Sequence, residues 1–437
     1  MDNYTSLFKG WYESGREYIS SYSDSNKNKA AFVKIDKSST MYDARCFHNT
    51  QLDSNKCIRT LTNLIYLFNQ GEHFTADEGT QIFFAITKLL QSEDANLRRV
   101  VYVSVKEMKK QPSIYVVTSS LLKDIHHKNS HFRRNSLRTI PLIADASNLS
   151  QIERYIKALI VDPDVGVSSA ALLSGLQMFQ TNEDLVKKWG TEINEKLNSK
   201  DPYVQCHALM LLGDTKRKDF NSYKKILFSL MKQNMTGLAA VQYLRMLRDI
   251  SKSLDHDSPE TSEFIKYICQ QARSKEDMIQ IEACKLACES SLMSNKELLE
   301  IIKILEVFLV SESTVKKYSV LKIFNTLLKN QFRKSLIINV KEIEKVLNGS
   351  NTSLSSIAAS ILLRICSENY LETLFTRIEK TMSEMSTEYK RDVVKSLANV
   401  LKTYPKKYEL INRFLINIMK KEDSYAIKSD VIEVLNF

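Results

Sequence analysis

The densest group of side chains that could hold a metal is His126-His127 with His131. Imidazole is an ordinary zinc ligand, but Lys128, Arg133 and Arg134 stand among these rings and would repel a cation. The run reads as a solvated loop between helices. Cys284 and Cys288 lie one helical turn apart, with no histidine or second cysteine pair beside them. Two core thiols on one face are expected there, not a zinc site. Cys46, Cys57, Cys206, Cys269 and Cys366 are scattered, and the total of seven is odd. That pattern suits reduced cytosolic thiols better than a disulfide framework. Asp77-Glu78, Glu93-Asp94 and Glu183-Asp184 read as helix starts, where carboxylates meet the positive end of the dipole. No GxGxxG, P-loop or HExxH pattern occurs. No catalytic, cofactor-binding or metal-binding residue is assigned, no cofactor is expected, and the chain is read as a non-enzyme.

The elements behind these residues are helical. The chain has 437 residues but only 10 Gly and 6 Pro, too few turn formers for a sheet protein. Hydrophobic content of 43% provides a long core, and no apolar run approaches the roughly 20 residues that cross a bilayer. Residues 1–42, rich in Ser, Tyr, Asn and Lys, read as a mobile polar leader, with order beginning near Asp43. From Ser54 the 3.6-residue period takes over: Leu61, Leu64, Ile65 and Phe68 line one helix face. Ser54 is expected as an N-cap and Gly71 as the residue past the helix end. Thr75 with Glu78, Ser150 with Glu153 and Ser294 with Glu297 read as capping boxes, and Ser258-Pro259 as a helix start.

A repeat emerges when a polar turn, an apolar anchor, two variable residues and a small-or-apolar run are aligned. Leu97, Phe132, Val167 and Val204 begin the clear copies; Leu238, Ile279, Val315, Leu354, Tyr389 and Tyr425 begin weaker ones, at intervals of 34 to 41 residues. Two helices per such period mark an α-solenoid. The fold expected is all-α, a right-handed α-solenoid of HEAT/armadillo-like hairpins running as one array over residues 43–437. Ala170, Ala171, Ala208, Ala283, Ala358 and Ala359 should let neighbouring helices approach. Phe437 ends an apolar pattern with no polar closing helix, as in a truncated array.

The net charge is +11, which favours acidic partners. Arg98-Arg99 and Arg133-Arg134 occupy the same repeat position and should stack; Lys106, Lys109 and Lys110 follow on the first helix and Arg138 on the second. Arg98, Arg99, Lys106, Arg133, Arg134 and Arg138 form either a solvated face or a patch for acidic lipid headgroups or an acidic protein. Nucleic acid is not expected, because the aromatics fall on apolar faces and a single-strand binder displays them.

Certain strings are more specific. Tyr66-Leu67-Phe68-Asn69-Gln70-Gly71-Glu72-His73, Phe83-Phe84-Ala85, Leu97-Arg98-Arg99 and Lys106-Glu107-Met108 occur in order. Val117-Thr118-Ser119-Ser120-Leu121 with Lys123-Asp124, Val167-Ser168-Ser169, Val204-Gln205 and later Tyr404-Pro405-Lys406-Lys407 follow. From about Asp43 onward, and most closely up to Leu212, this resembles the N-terminal trunk of the coatomer gamma subunits, large adaptin-like subunits of the COPI coat. The resemblance implies a structural coat subunit acting in Golgi-to-ER and intra-Golgi vesicle transport. Such a subunit is cytoplasmic, and peripheral on the Golgi membrane and COPI-coated vesicles, where the resemblance places it within reach of acidic lipid. The implied partners are a zeta-type small subunit, the other coatomer subunits and a GTP-bound Arf-type small GTPase. Carried over by position, the GTPase patch would involve Ile65, Val100, Val103, Tyr115 and Thr118. Val100 and Val103 can share a helix face, with Leu97 and Val101 as core neighbours; the competing reading makes all five core. The resemblance implies a family architecture that continues into more trunk, a hinge and an appendage, none of which is expected within these 437 residues. A different solenoid scaffold, of the nuclear-transport or phosphatase type, is the alternative.

Overall fold

The computed structural model describes residues 35–108, 115–328, 340–349 and 351–435, and every regular element among them is helical. The described residues fall into two compact units, divided between Asp145 and Ala146.

The first unit opens with α1 (Lys37–Asp43), whose N-cap Asp36 accepts a hydrogen bond from the Ser39 amide, so helix begins ahead of the residue-43 boundary. A 3-10 turn (Ala44–His48) leads to α2 (Ser54–Asn69), α3 (Ala76–Leu89), α4 (Ala95–Glu107), α5 (Tyr115–Ile125) and α6 (Ser130–Ile143). Helices α2, α4 and α6 pack in one row; α3 and α5 form the other. The cap of α2 is Asp53, with Ser54 already helical: the carboxylate takes the Lys56 amide and displaces the serine from the expected role. Gly71 does adopt positive φ (84°), and the amides of Gly71 and Glu72 bond back to Phe68 and Leu67, closing the helix. Thr75 and Glu78 form a reciprocal capping box.

The second unit contains α7 (Ala146–Ala158), α8 (Val165–Thr181), the one-turn α9 (Glu183–Val186), α10 (Gly190–Leu197), α11 (Pro202–Lys216), α12 (Phe220–Leu230) and α13 (Gly237–Ser251). It continues through α14 (Pro259–Gln271), α15 (Asp277–Glu289), α16 (Asn295–Val310), α17 (Thr314–Leu327) and α18 (Val340–Leu347). Helices α19 (Thr352–Ile365), α20 (Leu371–Met382), α21 (Thr387–Thr403), α22 (Tyr408–Lys421) and α23 (Tyr425–Leu435) complete it. Helices α8, α11, α13, α15, α17, α19, α21 and α23 pack each on the next as a continuous row, and the intervening helices back them. Each hairpin buries its apolar stripe against its neighbours, as a helical repeat requires.

The ten repeat anchors all fall on helices of the α4/α6 and α8-to-α23 rows. The buried position is the third residue after the N-cap: Leu97 after Asp94, Phe132 after Asn129, Val167 after Asp164, Val204 after Asp201 and Leu354 after Asn351. At three weaker anchors the register differs from the expected one: Leu238, Val315 and Tyr425 are exposed, the last at 85%, because each lies one or two residues ahead of the third position after the cap. Ala239 and Ile427 are the buried residues. In α17 the anchor place is held by Lys316, whose ammonium lies 5.6 Å from the Phe308 ring centre and 2.5 Å from Asp277.

The six expected alanines are fully buried, and Gly175 makes a closer approach still. A Cβ there would come within 2.6 Å of the buried Trp189 ring and 3.0 Å of Leu211. The Trp189 indole donates to Glu153. Glu153 is therefore not a capping partner of Ser150, which lies inside α7. Ser294–Glu297 and Ser258-Pro259 do start helices as expected. Cys284 and Cys288 are buried core thiols.

A cationic and apolar face on the first unit

The first turn of α4 decides which basic residues can meet a partner. Asp94 accepts from the amides of Asn96 and Leu97, fixing the helix phase. In that phase Leu97, Arg98, Val101, Tyr102 and Val105 point inward, while Arg99, Val103 and Lys106 share the outer stripe. Arg98 is only 3% exposed, so it is not part of a surface patch. Its guanidinium lies 2.6 Å from Asp124 on α5, donates to the Tyr102 hydroxyl at 2.7 Å, and sits 4.3 Å from the Phe132 ring centre on α6. Tyr102 in turn donates to Asp124 at 2.8 Å. Burial pushes the Asp124 carboxyl up, and Arg98 and the Tyr102 hydroxyl pull it back.

Arg133, at the equivalent place on α6, also serves the fold: it donates to the carbonyls of His127 (2.9 Å) and Lys128 (3.0 Å). The fourth residue after the cap repeats this task in the second unit. Ser168 donates to the Ile160 carbonyl (2.6 Å), Gln205 to that of Leu197 (2.8 Å) and Ser355 to that of Val346 (3.3 Å). The side chain ties down the end of the preceding helix, whose carbonyls lack helical partners. The expected stack of arginine pairs is thus two columns: Arg98 and Arg133 turned to the framework, Arg99 and Arg134 on the neighbouring one.

The remaining cations crowd one another. Lys106 is held below the usual lysine range by burial and then by Arg138; Arg138 is itself lowered by protein packed around it and then by Arg134. Lys109 and Lys110 lie outside the described residues.

The apolar candidates separate in the same way. Val100 is 9% exposed and belongs to the core, because it faces inward between Leu97 and Val101. Val103 is 43% exposed on the stripe of Arg99 and Lys106. Ile65 is half-buried on α2, the helix packed beside α4. Thr118 is half-buried in the first turn of α5, in the opposite row. The Arg98–Asp124 contact joins the start of α4 to the end of α5, so Thr118 lies towards the far end of α4. The side chain of Tyr115 lies outside the described residues.

The histidine cluster is absorbed by its loop. His127 Nδ1 accepts from the Asn129 amide at 3.0 Å, and its ring packs 4.8 Å from that of Phe132. Among the described residues no three His, Cys, Asp or Glu side chains are placed to hold a metal ion, and no helix is long and apolar enough to cross a membrane. The Arg98–Tyr102–Asp124 network escaped the sequence reading. Its local signal is an arginine four residues before a tyrosine on one helix face; Asp124 is distant in sequence and gave none.

The adaptin N-terminal region family matches residues 36–436. The chain is 33% identical over 417 residues to coatomer subunit gamma-2 of Oryza sativa subsp. japonica, covering 94% of this chain and 46% of that protein. It is 32% identical over 406 residues to human coatomer subunit gamma-1, covering 92% of this chain and 46% of that one. The chain thus spans about half the length of the curated relatives it matches. A homology model of the full-length AP-3 complex in an intermediate open conformation superposes with a TM-score of 0.58 at 15% identity, over 88% of this chain and 72% of that one, a likeness of fold.

Proposed function

The chain belongs to the adaptin N-terminal region family, and from that membership and its similarity to coatomer gamma subunits we propose that it is a structural adaptor trunk of a COPI-type vesicle coat. It acts without catalysis, by holding other coat subunits, among them a zeta-type small subunit, in the cytoplasm and on the Golgi membrane. Its recruiting contact is with a GTP-bound Arf-type GTPase at the outer stripe of α4. The observation that carries this reading is Val103: an aliphatic side chain left 43% exposed between Arg99 and Lys106, on a helix packed beside the one that bears half-buried Ile65. An apolar centre with a charged rim is the ordinary anatomy of a protein-binding patch. Thr118 extends that patch at the hairpin end, and Arg134 and Arg138 provide a cationic flank for an acidic partner or the acidic Golgi membrane surface.

Val103→Asp places a carboxylate at the centre of the patch. The 437-residue chain should retain a GTP-locked Arf-type GTPase and release a GDP-locked one; the variant should lose at least about tenfold in affinity, about 1.4 kcal/mol, with unchanged helical circular dichroism. Equal capture of both nucleotide forms, or full binding by the variant, removes the assignment. Val100→Asp tests the placement from the other side, since at this buried position it should unfold the hairpin and not merely weaken binding.

A further inference from the structure

In the second unit, a groove of about 390 Å³ opens between α15 and α17. Its apolar wall comes from Ile281, Cys288, Ile323 and the ring of Tyr318. The neutral polar groups along it are committed elsewhere: Ser319 donates to the Val315 carbonyl and Thr326 to that of Lys322.

The charges around the groove do not balance. Two carboxylates, Glu282 and Glu289, face it. Both are taken by Arg248, at 2.8 Å and 2.7 Å, and Arg245 adds a second guanidinium 3.5 Å from the same Glu282 oxygen. Lys285 reaches that crowded oxygen only at 3.8 Å. Lys322 rests 5.6 Å from the Tyr318 ring centre, and no carboxylate among the groove's lining residues pairs with it. Four cations therefore share two acids, and the two lysines with the weakest neutralisation line the opening.

We propose that this groove is a docking site for a partner-protein segment that presents one large apolar side chain beside a carboxylate. The apolar side chain fills the space between Ile281 and Ile323. The carboxylate lies against Lys322 and Lys285 and completes the charge balance. Charge complementarity selects this occupant: a basic segment would meet the surplus cations, and a purely polar one would leave the wall wet. The site is independent of the Val103 face, so either can fail without the other.

The test uses the full 437-residue chain and fluorescence anisotropy with three short synthetic peptides on a Gly/Ser background. One carries Leu beside Glu, one Leu beside Lys, one Ser beside Glu. The Leu–Glu peptide should bind in the range of about 10–100 µM and the others at least about tenfold more weakly. Lys322→Glu should weaken the Leu–Glu peptide about tenfold and improve the Leu–Lys peptide, while Arg99→Glu on the first unit changes neither. Lys285→Glu gives the same reading should Lys322→Glu disturb the Tyr318 contact and the fold. Equal binding of all three peptides, no binding at about 1 mM, or indifference to both lysine variants overturns the proposal. So does binding of phosphatidylserine vesicles that is lost in Lys322→Glu when no peptide binds, which would make the surplus charge a membrane contact.

Discussion

The first turns of α4 and α11 commit the same repeat position to different partners. Both follow an Asp N-cap, both bury an aliphatic anchor at the third residue, and both turn the fourth residue inward. In the second unit that residue is Gln205, whose neutral amide reaches the Leu197 carbonyl. In the first unit it is Arg98, a full charge at 3% exposure, and only Asp124 makes that tolerable. A neutral tie is self-contained: deleting it removes one hydrogen bond. A charged tie is conditional on a residue from another helix. The same repeat position thus reads as a surface basic ladder in sequence and becomes a dependent pair in structure.

The sharpest way to break this comparison is to delete the acid. Asp124→Ala leaves Arg98 buried and uncompensated, and should cost about 3–5 kcal/mol. Hydrogen exchange across α4 and α5 should accelerate accordingly, and Arg98→Met with Asp124→Leu should recover much of the loss. Gln205→Ala should cost less, about 1–3 kcal/mol, the value of one buried hydrogen bond and an orphaned carbonyl. Equal losses at the two sites would mean that Arg98 is not charged and buried in the way described, and the contrast would collapse.

The same contrast sets what was legible in the sequence. Helices, their two rows and the small residues between them follow from local periodicity and caps, since each hairpin must cover its neighbours. Gly71, Thr75 with Glu78, and the buried alanines were readable for that reason. The face was only half readable. Whether Arg98 or Arg99 meets solvent depends on helix phase, and that phase is set by Asp94 one turn earlier. Whether Val100 or Val103 is exposed depends on the same phase, and an i, i+3 relation fits both to one face without saying which is covered. Pairings such as Arg98 with Asp124 and Glu153 with Trp189 cross between elements, where no periodicity reports them.

A charge pair whose arginine is exposed should matter less than one buried on both sides, and should do so with a definite pH sign. Arg391 on α21 pairs with Asp430 on α23 at 2.5 Å and holds its carboxyl below the usual range, aided by Lys395. A carboxylate lowered in the folded state contributes stability above its unfolded value, about 3.9, and the contribution is lost as pH falls through the lowered value. Arg391→Gln should therefore lower the urea unfolding midpoint at pH 7, and leave it unchanged at a pH below both values. A cost that persists in acid would point to packing of the arginine stem as its source.

The smallest expected effect has the opposite sign. Lys106 is lowered by burial and then by Arg138, in a row where Arg138 is lowered in part by Arg134. An ammonium depressed in the folded state costs stability at neutral pH. The cost fades as pH rises through the lowered value and is gone above the ordinary lysine value of about 10.4. Lys106→Gln should thus stabilise the first unit slightly at pH 7, by no more than about 0.5 kcal/mol, and the gain should shrink towards pH 10. The paired charges of α21 and α23 cannot behave so, because removing either partner there loses an attraction. An acidic partner would relieve the crowding at Lys106 as the substitution does, so a protein that gains stability from the glutamine at pH 7 is one whose cationic stripe still awaits its counter-charge. A loss at that pH would show that the stripe is already neutralised from within, and the first unit would then offer a partner little beyond the side chain of Val103.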